Sequence, residues 1–497
     1  MMIPSRRTFM QSLLATLGGG YGIRSAWASL QQDTRGVIRG EEWRRMEGAQ
    51  RPYDFQASAR VAARAGQRIR QIRQKDQEII LTDAQGDPLS QIKARVVQMR
   101  NEFPVGDQLW RLQEFYRFDE HAADLGFYWR HRFKNVFNSA NALCYWTERP
   151  RNDGPKTEDI QGRQQLDDFA YAVDWINSEN MLAKGHPLFW SIPKCVPEWV
   201  KRYDIETQYK FAEVRVRDLV SRFRGKVKMW DAVNEILWEP AFKNLNRRHW
   251  PYLETLENVT EMVARVLGWA RDEDPDAKYL INDYGLIQES EKGPPTAPDG
   301  TVVTCKLQRK RYLDIARRLI DMGSPPDALG LQSHIGGWVN QDDQLAFYDE
   351  MAQAGLPLHI TEFWAKTGWL QEQGMDQQEI DERQAEYVSN TLTVAYSHPA
   401  VEAFFFWGFM SSAIEWKRRS AHELKPMYHR IQNLLKNEWM TRTDIETNAD
   451  GQTSFRGFCG DYMLRLTLPS GHETGIPFTL NQSQKGPILL QTQLIGL

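Results

Sequence analysis

Val227-Lys228-Met229-Trp230-Asp231-Ala232-Val233-Asn234-Glu235 is a largely apolar run of strand length that ends on an amide and a carboxylate. Helical patterns flank it, Thr207–Phe223 before and Val259–Asp272 after. A short apolar run between amphipathic segments reads as one βα unit. The same alternation extends in both directions. Candidate strands are Phe103–Trp110, Val136–Leu143, Leu182–Trp190, Val227–Val233, Lys278–Ile281, Ala328–Gln332, Leu356–Ile360 and Ala403–Trp407. Further helical patterns are Gln165–Asn177, Arg309–Met322 and Asp381–Tyr396. Eight strands alternating with helices over about 330 residues predict an α/β fold, a (β/α)8 TIM barrel. A doubly wound open sheet is the competing arrangement. No GxGxxG or Walker-type loop follows any of these strands, so a nucleotide-binding version of that sheet has no phosphate cradle.

The barrel is expected over 102–437, and the pattern changes on both sides of it. Residues 29–101 hold a polar, Arg-rich stretch with helical character at Ala57–Arg73, then two short alternating runs, Glu78–Thr82 and Ile92–Val97, around the turn cluster Asp83–Pro88. They predict a small β-containing N-terminal element. Residues 438–497 carry alternating runs at Thr453–Phe458, Tyr462–Leu468 and Pro477–Leu480, which predict a small β-rich C-terminal module. Residues 1–28 read as an export leader. Ser5-Arg6-Arg7-Thr8-Phe9-Met10 is a twin-arginine signature, Leu13–Ile23 is a mildly apolar stretch, and Ala26-Trp27-Ala28 is a small-x-small cleavage site. The expectation is export by the twin-arginine route to the periplasm or medium, with no membrane attachment after leader removal.

The 497 residues carry 62 Lys+Arg against 65 Asp+Glu, a net charge of −3, which gives no global steering toward nucleic acid or anionic membrane. Four cysteines (144, 195, 305 and 459) are too scattered for a disulfide scaffold or a CxxC zinc site, so buried thiols are expected. The 18 tryptophans are a hint of sugar-stacking surfaces, since flat rings bind the apolar faces of sugars.

Reacting groups in such a barrel sit at the C-terminal ends of strands. The fourth predicted strand ends at Glu235 and the seventh at His359-Ile360-Thr361-Glu362. Two carboxylates at one mouth are what glycoside hydrolysis needs, one to protonate the leaving oxygen and one on the opposite face of the sugar. At this point six segments in order become informative: Gly185-His186-Pro187-Leu188-Phe189-Trp190, Trp230–Glu235, Asn282-Asp283-Tyr284, Gly330-Leu331-Gln332-Ser333-His334, Ile360-Thr361-Glu362 and Phe406-Trp407-Gly408. Together they resemble the strand motifs of glycoside hydrolase family 10, the endo-1,4-β-xylanases. The resemblance implies a retaining hydrolase of β-1,4 linkages in xylan or a related plant polysaccharide. It implies Glu235 as general acid/base and Glu362 as nucleophile. Asn234 would bind the sugar 2-hydroxyl, Gln332 and His334 would orient the nucleophile, and His186 and Trp407 would contact the sugar in the −1 subsite. Trp190 and Tyr284 are the further sugar-facing candidates.

The sequence departs from the family's pattern in three places. The second-strand motif, Glu-Asn-x-x-Lys-Trp in the family, is represented by Phe137-Asn138-Ser139-Ala140-Asn141-Ala142-Leu143-Cys144-Tyr145-Trp146, without the Glu or the Lys. Asn141 is the candidate to replace one amide contact. Charged hydrogen bonds are the stronger kind, so binding at −2 is expected to be altered. The family's Trp-His is Trp190-Ser191, and its Glu-x-Asp is Glu362-Phe363-Trp364, which removes the carboxylate that pairs with His334. Two alternatives therefore stand beside xylan hydrolysis: the same chemistry on a decorated or non-xylan β-glycoside, and a carbohydrate-binding protein without turnover. No HExxH, HxH or paired Asp run suggests a metal, so no metal or cofactor is expected. The expected partner is a polysaccharide or oligosaccharide, bound by a monomer.

Overall fold

The computed structural model describes residues 52–492 except 119–121, 148–154, 160, 193–194, 239–254, 290–292, 298, 335, 417–421 and 468–472. The expected export leader lies outside the described residues. Eighteen strands follow in chain order: β1 (Gln74–Thr82), β2 (Lys93–Asn101), β3 (Val105–Gln108), β4 (Ser139–Leu143), β5 (Leu182–His186), β6 (Phe189–Trp190), β7 (Met229–Asn234), β8 (Lys278–Asp283), β9 (Ala328–Ser333), β10 (Leu358–Phe363), β11 (Val401–Phe406), β12 (Ile414–Trp416), β13 (His422–Leu424), β14 (Arg442–Glu446), β15 (Gln452–Phe458), β16 (Gly460–Thr467), β17 (Glu473–Leu480) and β18 (Ile488–Gln491).

Strands β3 to β11 form one parallel sheet in the order β5-β4-β3-β11-β10-β9-β8-β7-β6, and pairing of β5 with β7 closes it. These are the eight positions of a (β/α)8 barrel, with the third position split into β5 and β6 at Pro187, which has no N–H for a ladder. A Cβ on Gly185 would overlap the indole of Trp230, so only glycine lets β5 close against β7. Helices between the strands include Ile205–Arg222, Leu256–Glu273, Cys305–Asp321 and Gln377–Tyr396. Each begins a few residues before its apolar period because its cap lies upstream. Asp204, Thr255, Thr304 and Asp376 accept from the backbone N–H three residues on. The lumen is floored by Leu182, Met229, Leu280, Ala328, Ala403 and Phe405.

The two expected flanks are joined to each other. β1 pairs with β15 and β18, while β2 lies between β14 and β16, with β17 outside. Two sheets, β15-β1-β18 and β14-β2-β16-β17, enclose Ile79, Leu81, Val96, Phe455, Tyr462, Leu464, Phe478 and Leu480. Neither flank could bury its apolar face alone, and together they make one β-sandwich. The helix Phe55–Ile72 lies on the barrel, with Ala62 and Ala65 against Val394. Arg73 ties the seam, donating to the carbonyls of Tyr396 (2.8 Å), His398 (2.9 Å) and Val401 (2.6 Å). All four cysteines are buried as thiols.

Candidate active site

The strand ends gather a polar cluster around Glu362, which is only 4% exposed. Its Oε1 accepts from Asn282 Nδ2 (2.9 Å), and its Oε2 lies 3.1 Å from His334 Nε2. Asn282 is fixed from both sides: Thr361 Oγ1 donates to its Oδ1 (2.5 Å), and its Nδ2 also reaches Asn234 Oδ1 (2.8 Å). Gln332 Nε2 donates to the same Asn234 oxygen (3.2 Å). With two donors at its oxygen, the Asn234 amide is oriented with –NH2 as its remaining hydrogen-bonding group. His334 Nε2 faces two acceptors, Glu362 Oε2 and Gln332 Oε1 (2.9 Å), which assigns the proton to that nitrogen. Trp364, at the position where an acid was expected, turns away to donate to Ser412 Oγ (3.2 Å).

A second cluster lies across the lumen. His186 Nδ1 is 2.6 Å from Asp231 Oδ2, and Lys184 ion-pairs with the same oxygen. All three groups are buried. Burial alone would raise the Asp231 carboxyl; the Lys184 ammonium and the His186 hydrogen bond overcome it and hold the group below the usual carboxylate range. An ionised Asp231 keeps a proton on His186 Nδ1 and fixes the ring, whose Nε2 stands 4.0 Å from Glu362 Oε1.

Glu235 follows the last residue of β7 and is partly exposed, in contrast to Glu362. Its backbone N–H donates to Asn282 O (2.7 Å) and its φ is +58°. That left-handed conformation costs a non-glycine residue roughly 1–2 kcal/mol, and a turn held from outside can sustain it. Asp283 supplies part of the hold: its Oδ2 accepts from Leu237 N (2.6 Å) and its Oδ1 from Tyr284 N (2.8 Å). Burial drives the Asp283 carboxyl well above the usual range, and the charges of Glu235 and Glu362 push the same way. Beyond Glu235, Trp238 and Tyr284 stack at 5.0 Å and 9° and form an aromatic platform.

On the other side of His186 the lining is apolar. Its ring meets Trp407 (5.1 Å) and Tyr145 (5.9 Å), and Tyr145 meets Trp190 (5.8 Å) and Trp110 (6.5 Å). Leu143, Ile192 and Cys195 complete this cluster. The structure thus brings Glu235, Glu362, Asn234, Gln332, His334, His186, Trp190, Trp407 and Tyr284 to one mouth. It does not bring Asn141 there. Asn141 is buried deeper in the lumen, in register with Lys184 and two residues short of the end of β4, where Leu143 pairs with His186. Sequence reasoning also passed over Lys184, Thr361, Asp283 and Trp238. All but Trp238 lie within or next to a quoted segment, and an alternating inward register along the strands would have marked Lys184.

A family model for glycosyl hydrolase family 10 matches residues 153–433, more than half of the chain. The chain belongs to glycosyl hydrolase family 10. This family 10 chain is 26% identical over 439 residues to anti-sigma-I factor RsgI6 of Acetivibrio thermocellus, covering 86% of this chain and 49% of that protein. It is 23% identical over 426 residues to endo-1,4-beta-xylanase 1 of Arabidopsis thaliana (84% and 39% covered). With endo-1,4-beta-xylanase B of Thermotoga neapolitana the identity is 25% over 319 residues (62% and 77% covered). The chain therefore spans half or less of the length of the first two relatives. Among solved structures it is similar to xylanase 10B from Thermotoga petrophila RKU-1 in complex with xylobiose. The TM-score is 0.48 at 19% identity, with 68% of this chain and 95% of that chain covered.

Proposed function

We propose that this family 10 chain is a retaining β-glycosidase of xylanase type, which cleaves β-1,4 linkages of xylan or a related plant polysaccharide by double displacement. The observation that carries the reading is Glu362. It is a buried carboxylate aligned by Asn282 and His334, with the more exposed Glu235 presented just beyond Asn234 at the end of β7, three strands away in the sheet. In the first step Glu362 attacks the anomeric carbon while Glu235 gives its proton to the leaving oxygen. In the second, Glu235 takes a proton from water, the water oxygen attacks the same carbon, and Glu362 leaves. In this reading Asn234 Nδ2 meets the sugar 2-hydroxyl, and Trp407, beside His186, floors the ring. The twin-arginine segment Ser5–Met10 supports export as part of the same proposal.

The apolar cluster beside His186 favours a second reading on substrate, the same chemistry on a substituted or non-xylan β-glycoside. Trp110 and Trp407, half-buried over Leu143 and Tyr145, offer a lipophilic wall that suits an acyl or ether substituent better than free hydroxyls. One experiment tests both. Turnover is measured on xylan, its deacetylated form, mannan, glucan and aryl β-glycosides, with Glu235→Ala and Glu362→Ala alongside. Each variant is expected to lose on the order of 10³-fold or more in turnover. Azide should rescue Glu362→Ala on an activated aryl glycoside with inverted product. Normal turnover in Glu362→Ala overturns the mechanism and leaves a binding protein. A preference for the acetylated polymer selects the second reading.

A further inference from the structure

Asp283 is fully buried at the end of β8, and the double displacement above gives it no step. Its two oxygens are spent on backbone N–H groups, those of Leu237 and Tyr284. Leu237 lies two residues beyond Glu235, and the N–H of Glu235 itself donates to Asn282, the neighbour of Asp283. The turn carrying Glu235 is therefore pinned on both sides to consecutive residues of β8. Ile236 and Leu237, within that turn, are completely buried, so the side chains that project from it are Glu235 and Trp238. A residue at φ +58° relaxes toward ordinary backbone geometry when its restraints are removed.

We infer that Asp283 is a positioning residue for proton transfer: it latches the Leu237 N–H and so fixes the strained turn that aims Glu235 at the leaving oxygen. The inference rests on the catalytic reading above and goes one step further, assigning a carboxylate outside the acid–nucleophile pair to the aim of the acid. A carboxyl group suits the task because both oxygens accept. In Asp283→Asn one of the two N–H groups faces an amide –NH2, and in Asp283→Ala both are left unmet.

A residue that aims the acid is needed in proportion to how badly the leaving group needs a proton. The test measures kcat/KM, which reports the glycosylation step, for dinitrophenyl and unsubstituted phenyl β-glycosides with the full-length enzyme. For Asp283→Ala the loss is expected to be about 10²-fold on the phenyl glycoside and within about threefold on the dinitrophenyl one. Asp283→Asn should fall between this variant and wild type with the same split, and it keeps the test open should the alanine variant fail to fold. Azide, a nucleophile that needs no base, should restore kcat on the dinitrophenyl glycoside. Equal losses on both substrates in the folded variants would mark a merely structural residue and overturn the inference. So would unchanged rates on both. An active wild type whose Glu235→Ala shows the split while both Asp283 variants lack it sinks the inference alone. A wild type inert toward every glycoside sinks the catalytic reading with it.

Discussion

In the middle of the barrel, Lys184, His186 and Asp231 are enclosed together, three groups that water would otherwise hydrate. In the sandwich the enclosed side chains are Ile79, Val96, Phe455, Tyr462, Leu464 and Leu480. Both interiors exclude solvent, yet they answer to different terms of the free energy. Apolar burial is roughly proportional to area and indifferent to pH. A buried ion pair has lost its hydration, so it holds only while both partners are present and charged. The barrel carries that liability where it orients His186, whose far nitrogen faces Glu362. The sandwich presents none of the reacting groups and has no such requirement. Function, rather than stability, explains the charge buried beside Glu362.

The sharpest way to break the contrast is Lys184→Met. The variant keeps the stem that packs in the lumen and leaves Asp231 without its cation. Breaking a buried pair from one side costs about 4 kcal/mol, the centre of the range for such losses. The sign with pH follows from the depressed Asp231 carboxyl. Its contribution is complete above the unfolded value of about 3.9 and is lost as pH falls through the lower folded value. Without Lys184 the folded value rises, so the deficit should be largest near neutral pH and shrink in acid. Denaturant melts of both proteins across that window check it. A deficit that does not change with pH would mean the lysine acts by packing alone.

The same contrast explains what could be read in the chain and what could not. Glu235, Glu362 and His334 could be set at the mouth from the sequence because each stands at its own strand end, and a strand end is a local pattern; Asn282, which links Glu362 to Asn234, was quoted but given no role. Asn141 was set beside the sugar although the strand end was read at Leu143: residues two apart share a face of the strand, and the inner of the two lies deeper in the lumen, level with Lys184. The sandwich was legible only as two separate flanks. Ile79 opposite Thr453 and Val96 opposite Leu464 are pairings between the two ends of the chain, and no local period records a partner hundreds of residues away. Trp238 was missed for a third reason: its partner Tyr284 follows the next strand, and only the pairing of β7 with β8 stacks the rings.

A smaller effect is expected from Leu464→Ala in the sandwich. Leu464 is fully buried on β16, opposite Val96 and Ile476. The cavity should cost about 3 kcal/mol, and the loss should be the same at neutral pH as in acid. Turnover per folded molecule is expected to stay at the wild-type level, since none of the groups around Glu362 rests on this residue. A pH-dependent deficit here, measured by the melts used for Lys184→Met, would erase the distinction between the two interiors.

The smallest effect concerns charge on the outside of that sandwich. Arg95 and Asp444 form a two-pronged pair across β2 and β14, Nε to Oδ1 at 2.7 Å and Nη2 to Oδ2 at 3.1 Å. By geometry it looks more orderly than the Lys184–Asp231 contact. Its side chains are 63% and 72% exposed, however, so water solvates both partners whether or not they meet, and salt screens what attraction remains. Arg95→Ala should leave the melting temperature of the full chain unchanged within error, at low salt as well as at physiological ionic strength. A loss that appears at low salt and vanishes on adding salt would show that the outer face of the sheet holds more of its stability in charge than its exposure allows. Equal melts at both salts would mean that, in this protein, the environment of an ion pair outweighs its geometry.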